Sequence, residues 1–135
     1  MAYRLERQKT KTSPYILIDE EKNYMRFEGE SYLEDVIDFF KEINEWLENY
    51  LASNFTELTF DCAMEYFNSS TTKLLYNILR LMDTHAPGKK VIVNWIVADE
   101  DDEMLIECGE DYQEEMKNLQ FNLVVGNIVT SPAKN

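Results

Sequence analysis

The hydrophobic period of this chain switches back and forth between two and three-to-four, and a chain patterned in that way folds as strands alternating with helices. After Pro14 come two short strand-like runs, Tyr15-Ile16-Leu17-Ile18-Asp19 and Tyr24-Met25-Arg26-Phe27-Glu28-Gly29. The turn-forming Glu20-Glu21-Lys22-Asn23 joins them into a hairpin. Then Leu33, Val36, Ile37, Phe40, Ile43, Leu47, Tyr50 and Leu51 recur at helical spacing, which predicts one apolar face of a long helix. Ser31 and Glu34 have the spacing of a capping box and are expected to start it. Residues 58–63 alternate as a strand, with Leu58, Phe60 and Cys62 on one side.

A second helical stripe carries Leu74, Leu75, Ile78, Leu81 and Met82, and His85-Ala86-Pro87-Gly88 ends it because proline and glycine forbid continuation. Residues 91–97 are apolar almost throughout and contain Trp95. They are expected to form a central strand, covered on both faces or flanked by other strands. Leu105, Cys108, Gly109, Tyr112, Met116 and Leu119 predict a third helix, and residues 121–125 a last strand. The order is β-β-α-β-α-β-α-β, an α/β fold whose mixed sheet contains parallel pairs joined by right-handed crossovers.

At 135 residues the chain is expected to be a single domain that buries about two-thirds of its unfolded surface. Arg4, Arg7, Lys9 and Lys11 crowd into a start with no periodicity, so residues 1–12 read as a flexible basic arm or, alternatively, a strand extension. The domain then covers 13–125, and 126–135 read as a frayed tail. The net charge is −13 despite that arm, and such a surface repels nucleic acid and anionic membrane. Cys62 and Cys108 lack the spacing of zinc ligands and read as buried thiols of a reducing cytoplasm. The N-terminus has no apolar core of signal-peptide length, and no run approaches the length of a membrane span.

One stretch stands out chemically: Ser69, Ser70, Thr71 and Thr72 are four adjacent hydroxyls where a strand ends and a helix begins. Unpaired N–H groups and the positive end of the helix dipole make such a place suited to a phosphoryl group. Hydroxyl residues are also the preferred helix caps, so capping alone and capping with phosphorylation are both open readings. Lys73 lies one turn along from Ser69 and can offset an added dianion. The sequence sets the position of such a switch and leaves its sign open.

Nothing in the chain has the pattern of an active site. It holds one histidine and has no phosphate-binding glycine loop, no GxSxG and no HExxH. The acidic run 99–103 lacks the ligand spacing of a calcium loop and reads as a charged segment capping the third helix. Asp61 and Glu65 read as solvated or ion-paired carboxylates rather than an acid/base pair. No cofactor and no metal is expected.

The run Tyr66-Phe67-Asn68-Ser69-Ser70-Thr71-Thr72-Lys73, preceded by Phe27-Glu28-Gly29-Glu30-Ser31-Tyr32 and followed by Trp95, resembles the SiaC family of bacterial regulatory phosphoproteins over about residues 13–125. The resemblance implies a STAS-like fold, similar to anti-sigma-factor antagonists, with helices packed on one side of a mixed sheet. It implies a phospho-switch without enzymatic activity, acting in cyclic-di-GMP and biofilm signalling. The unphosphorylated form would bind and activate a diguanylate cyclase. A cognate serine/threonine protein kinase would phosphorylate the hydroxyl after the motif asparagine, and a metal-dependent serine/threonine phosphatase would remove the phosphate.

Carried onto this chain, the resemblance places the phosphoacceptor on Ser69, with Ser70 and Thr71 as fallbacks. It implies a partner surface on Tyr66, Phe67, Asn68, Ser69, Ser70 and Lys73. The family's usual Asn-Thr-Ser-Ser is here Asn-Ser-Ser-Thr, which keeps the hydroxyl and drops a methyl group. Asn68 stands where the wider antagonists usually carry aspartate, which favours the SiaC branch. Two other readings are an anti-sigma-factor antagonist, recognisable by an anti-sigma kinase partner, and a small-molecule-binding or enzymatic domain, recognisable by ligand-induced thermal stabilisation.

Overall fold

In the computed structural model, which describes residues 2–126 and 128–130, each strand hydrogen-bonds to the next one along the chain. The strands are β1 (Arg4–Arg7), β2 (Tyr15–Asp19), β3 (Tyr24–Ser31), β4 (Glu57–Phe67), β5 (Lys90–Val97), β6 (Gln120–Val125) and β7 (Ile128–Thr130). The helices α1 (Val36–Ala52), α2 (Ser69–His85) and α3 (Glu103–Glu115) fall in the three long connections. The parallel pairs are β3 with β4, β4 with β5 and β5 with β6, and the outer pairs are antiparallel. This is the expected mixed α/β sheet with its helices in the expected places, extended by one strand at each edge.

The first added strand corrects the flexible-arm reading. Of the two readings of residues 1–12, the strand extension is the one the structure has: Arg4–Arg7 pairs antiparallel with β2. The arm is held by contacts that periodicity does not show. Tyr3 stacks on Trp46 of α1 at 6.3 Å, and its hydroxyl donates to Glu42. The Arg7 guanidinium donates to the Phe39 carbonyl at 2.7 Å and pairs with Glu42 at 3.1 Å. A turn closed by Thr10 and Ser13 then returns the chain into β2. The second added strand falls within the expected tail, where Ile128–Thr130 pairs with β6; residues 127 and 131–135 lie outside the described residues.

The strands bury alternate residues on one face, beneath the helices. Phe27, Cys62, Trp95 and Leu123 share one rung across β3 to β6 and are all buried. On the other face Arg26, Asp61, Asn94 and Asn122 form a polar rung across the same four strands. Asp61 accepts from Tyr24 at 2.6 Å and from the Asn94 amide at 2.8 Å, and Asn94 accepts from Asn122 at 2.9 Å. Of the two expectations for 91–97, flanking by other strands is met and cover on both faces is not. Ile92, Asn94 and Ile96 stay half-exposed because the helices lie on one side.

Two helix readings need correction. Ser31 does not cap α1: it is the last residue of β3, and Asp35 caps the helix by accepting from the Asp38 N–H at 3.0 Å. The helix is also rotated from its expected setting, so that Trp46 is buried and Ile37 is 77% exposed. Gly109 explains how closely α3 sits on the sheet. A Cβ there would come within 2.5 Å of the Trp95 ring and 2.8 Å of Leu123. The Trp95 indole donates to the Leu105 carbonyl at 3.0 Å, which ties helix to strand.

Candidate phosphoacceptor site

The site lies at the carboxyl end of β4, where a bulge changes which way side chains point. Met64 pairs with Gly29 and Tyr66 with Glu30, so Glu65 is an extra residue in β4. Gly29 serves the same irregularity with a φ of +106°, a conformation that favours glycine. Alternation would have buried Tyr66, and the bulge instead leaves both Glu65 and Tyr66 exposed. Tyr66 stacks on Tyr32, ring centroids 4.8 Å apart, and the Tyr32 hydroxyl donates to Glu30 at 3.0 Å. That bond to a carboxylate raises the Tyr32 pKa. Phe67 is half-buried, its ring edge-on to Trp95 at 6.0 Å.

Asn68 takes the capping duty. Its side-chain oxygen accepts from the Thr71 N–H at 3.1 Å and the Thr71 hydroxyl at 2.8 Å, and its amide donates to the Leu33 carbonyl at 2.9 Å. Its own N–H bonds to the Ser31 carbonyl at 3.1 Å, so the cap is fixed from three directions. Thr71 is fully buried and its hydroxyl meets that of Ser31 at 2.7 Å. The Thr72 hydroxyl bonds back to the Asn68 carbonyl at 3.0 Å.

The four hydroxyls therefore divide into two kinds. Thr71 and Thr72 are structural, and burial removes Thr71 from the three acceptors expected from sequence. Ser69 and Ser70 occupy the first two positions of α2, are exposed, and have no side-chain hydrogen bond among the described residues. Their hydroxyls are free for chemistry, beside N–H groups that the helix leaves unpaired. Lys73 is exposed on the next turn and makes no ion pair among the described residues. Tyr66, Phe67, Asn68, Ser69, Ser70 and Lys73 are thus contiguous, with Asn68 and Phe67 serving as support and the other four facing water.

Local sequence patterns do not show the contacts that bring Ser31, Tyr32 and Met104 to the site. Ser31 was assigned to a cap, and its buried contact with Thr71 spans 40 positions, so no local pattern signals it. Met104 is 83% exposed and lines a groove beside Tyr66, where helical spacing gave it no role. The third-helix reading was sound at its start. Asp102 caps α3 by accepting from the Leu105 N–H at 3.2 Å, and Asp99 accepts from the Asp101 N–H at 2.9 Å. Cys62 is buried as expected, whereas Cys108 is only half-buried.

Comparison with known proteins places this arrangement. The model of the SiaC family regulatory phosphoproteins matches residues 7–126. An uncharacterized protein of Pseudomonas aeruginosa strain UCBPP-PA14 is 29% identical over 107 residues, covering 78% of this chain and 84% of that one. Apo-SiaC from Pseudomonas aeruginosa superposes with a TM-score of 0.77 at 26% identity, covering 91% of this chain and 98% of that one. SiaC in a crystal structure of the diguanylate cyclase SiaD with its activator SiaC, from the same organism, gives 0.78 at 27% identity, covering 90% and 97%. The chain belongs to the SiaC family of regulatory phosphoproteins.

Proposed function

We propose that this protein is a phospho-switch without enzymatic activity of its own, and that Ser69 is its acceptor. In its unphosphorylated state it binds and regulates a diguanylate cyclase in the cytoplasm. A serine/threonine kinase and a metal-dependent serine/threonine phosphatase set that state. The observation that carries the reading is the freedom of Ser69: its neighbours Asn68, Thr71 and Thr72 do all the structural bonding at the helix start. Family membership and the solved SiaC–SiaD complex support the choice of partner.

Magnitudes support release of the partner on phosphorylation. Phosphorylation adds nearly two negative charges, which the exposed helix start and Lys73 can accommodate in the free protein. A partner docked over the same residues must strip water from the dianion, which costs several kcal/mol per buried ion. Any attraction of that dianion to exposed cations is worth about 1 kcal/mol or less in the presence of salt. The penalty is larger, so the phosphorylated state releases the partner.

The test compares wild type with Ser69→Ala, Ser69→Glu and Ser70→Ala for binding to a purified diguanylate cyclase from the same organism. Melting temperatures should agree within about 2 °C, while Ser69→Ala and Ser69→Glu differ in affinity by at least about tenfold, or about 1.4 kcal/mol. Phosphopeptide mass spectrometry after incubation with the kinase should find label on Ser69 in wild type and in Ser70→Ala. Equal binding by the two Ser69 variants, with Ser69 unlabelled, returns the residue to the start of an ordinary helix.

A further inference from the structure

Large hydrophobic side chains are exposed at only four described positions, and three of them are linked: Tyr32 stacks on Tyr66, and Tyr66 and Met104 line one groove. Tyr66 and Met104 line a groove of about 480 Å³ together with Phe67, Leu105, Cys108 and Thr72. Thr72, which lines the groove, lies three residues after Ser69 and on the same side of α2, so Ser69 is one helical turn from the lining. The lining contains two carboxylates, Glu65 and Asp102, and no lysine or arginine.

Past Glu65, Asp102 and Leu105 the depression continues into a second one of about 570 Å³, at the carboxyl ends of β4 and β5. There Asp99 adds negative charge. Its one cation, Arg26, is already paired with Glu28 at 2.7 Å and with Asp61 at 3.4 Å. An apolar slot flanked by Glu65, Asp99 and Asp102, which make no ion pair among the described residues, is the arrangement of a protein interface, with an anchor at the middle and charges at the edge.

Resting on the function proposed above, we infer that this groove receives a segment of the regulated cyclase with an apolar side chain and flanking lysine or arginine. The apolar side chain seats between Tyr66 and Met104, and the cations face Glu65 and Asp102. Charge complementarity selects that occupant over a second copy of this chain, which would bring another acidic surface with a net charge of −13. The anchor's position explains how Ser69 controls it. A phosphate on Ser69 would stand one helical turn from the lining residue Thr72, and desolvation of that dianion by a docked segment outweighs its long-range attraction for the partner's cations.

The test measures affinity for the purified cyclase at 50 and 300 mM salt, using wild type, Ser69→Ala, Ser69→Glu, Met104→Asp and Glu65→Lys. Both groove positions are exposed, so these variants should keep the wild-type melting temperature. Met104→Asp should weaken binding at least tenfold at either salt concentration, and Glu65→Lys should weaken it at low salt and flatten the salt dependence. If Ser69→Glu loses the cyclase while both groove variants bind like wild type, the groove assignment falls and the switch stands. If Ser69→Ala does not bind the cyclase at all, both fall. Sedimentation of the chain alone covers the remaining occupant: a dimer that Met104→Asp dissociates would assign the groove to a second copy and overturn the inference.

Discussion

Ser31 and Thr71, 40 positions apart, join their hydroxyls in a buried hydrogen bond of 2.7 Å that fastens the end of β3 to the first turn of α2. Because Thr71 also donates to Asn68, the pair fixes the residue that holds Ser69 outward.

Replacing Thr71 with valine keeps the shape and deletes the hydroxyl. The buried Ser31 hydroxyl and one lone pair of Asn68 then lose a partner, which is expected to cost about 1–3 kcal/mol. Urea midpoints measure it, and the double variant Ser31→Ala with Thr71→Val should lose less than the two singles added together, because the orphaned group is gone. Strict additivity would show that the two hydroxyls act independently. Kinase labelling of Thr71 in the wild-type protein should be absent, since the residue is fully buried.

Gly109→Ala tests the fit of α3 on the sheet. Alanine normally stabilises a helix interior by up to about 1 kcal/mol over glycine. Here its methyl group would meet Trp95 at 2.5 Å, and Trp95 cannot move freely, being bonded to Leu105 and packed edge-on to Tyr112 at 5.3 Å. Overpacking of this kind costs about 1–3 kcal/mol, so the net change should be destabilising. It should appear in the denaturation midpoint together with a change in near-ultraviolet circular dichroism. A stabilised variant would mean that α3 stands off the sheet.

Burial pushes the Cys62 thiol from its ordinary value of 9.0 up to about 12. Between those values the unfolded chain releases the proton and the folded chain keeps it, so the folded state binds more protons. Stability must then fall as pH rises from about 9 towards 12 and stay unaffected below about pH 8. Denaturant melts across that range should show the decline, and Cys62→Ala should reduce its slope after allowance for its lower starting stability. A thiol reagent at pH 8 should modify the half-buried Cys108 well before Cys62; equal rates would place Cys62 within reach of solvent.

The sequence was legible where one local rule decides the outcome. Switches of period located all three helices and the strands between them, and Pro87 with Gly88 marked where α2 stops. It was illegible where distant partners decide. Tyr3 and Arg7 hold β1 through Trp46, Phe39 and Glu42, residues about forty positions away that no window around residue 5 contains. Ser31 looked like a cap because serine before glutamate fits that rule, but the buried contact with Thr71 claims it. Ile37 fitted the apolar stripe of α1 equally well by spacing, yet Trp46, with its indole donating to Glu20 at 2.7 Å, sets the helix rotation. At the site, the hydroxyl cluster was readable as a run, while its division into structural and free members required the cap geometry.

The order of the seven strands in the sheet is their order in the chain, and this bears on how the protein is made. As synthesis proceeds, each new strand finds its neighbour already in place, and no strand has to be inserted between two that are paired. Contacts close over one strand–helix–strand unit at a time, which keeps the loop-closure penalty of each step small. The growing sheet has one advancing edge, shielded only when the next strand emerges from the ribosome. The groove is finished late in this sequence: Tyr66 and Thr72 are translated at mid-chain, but the groove they line is complete only after α3 has docked through Gly109.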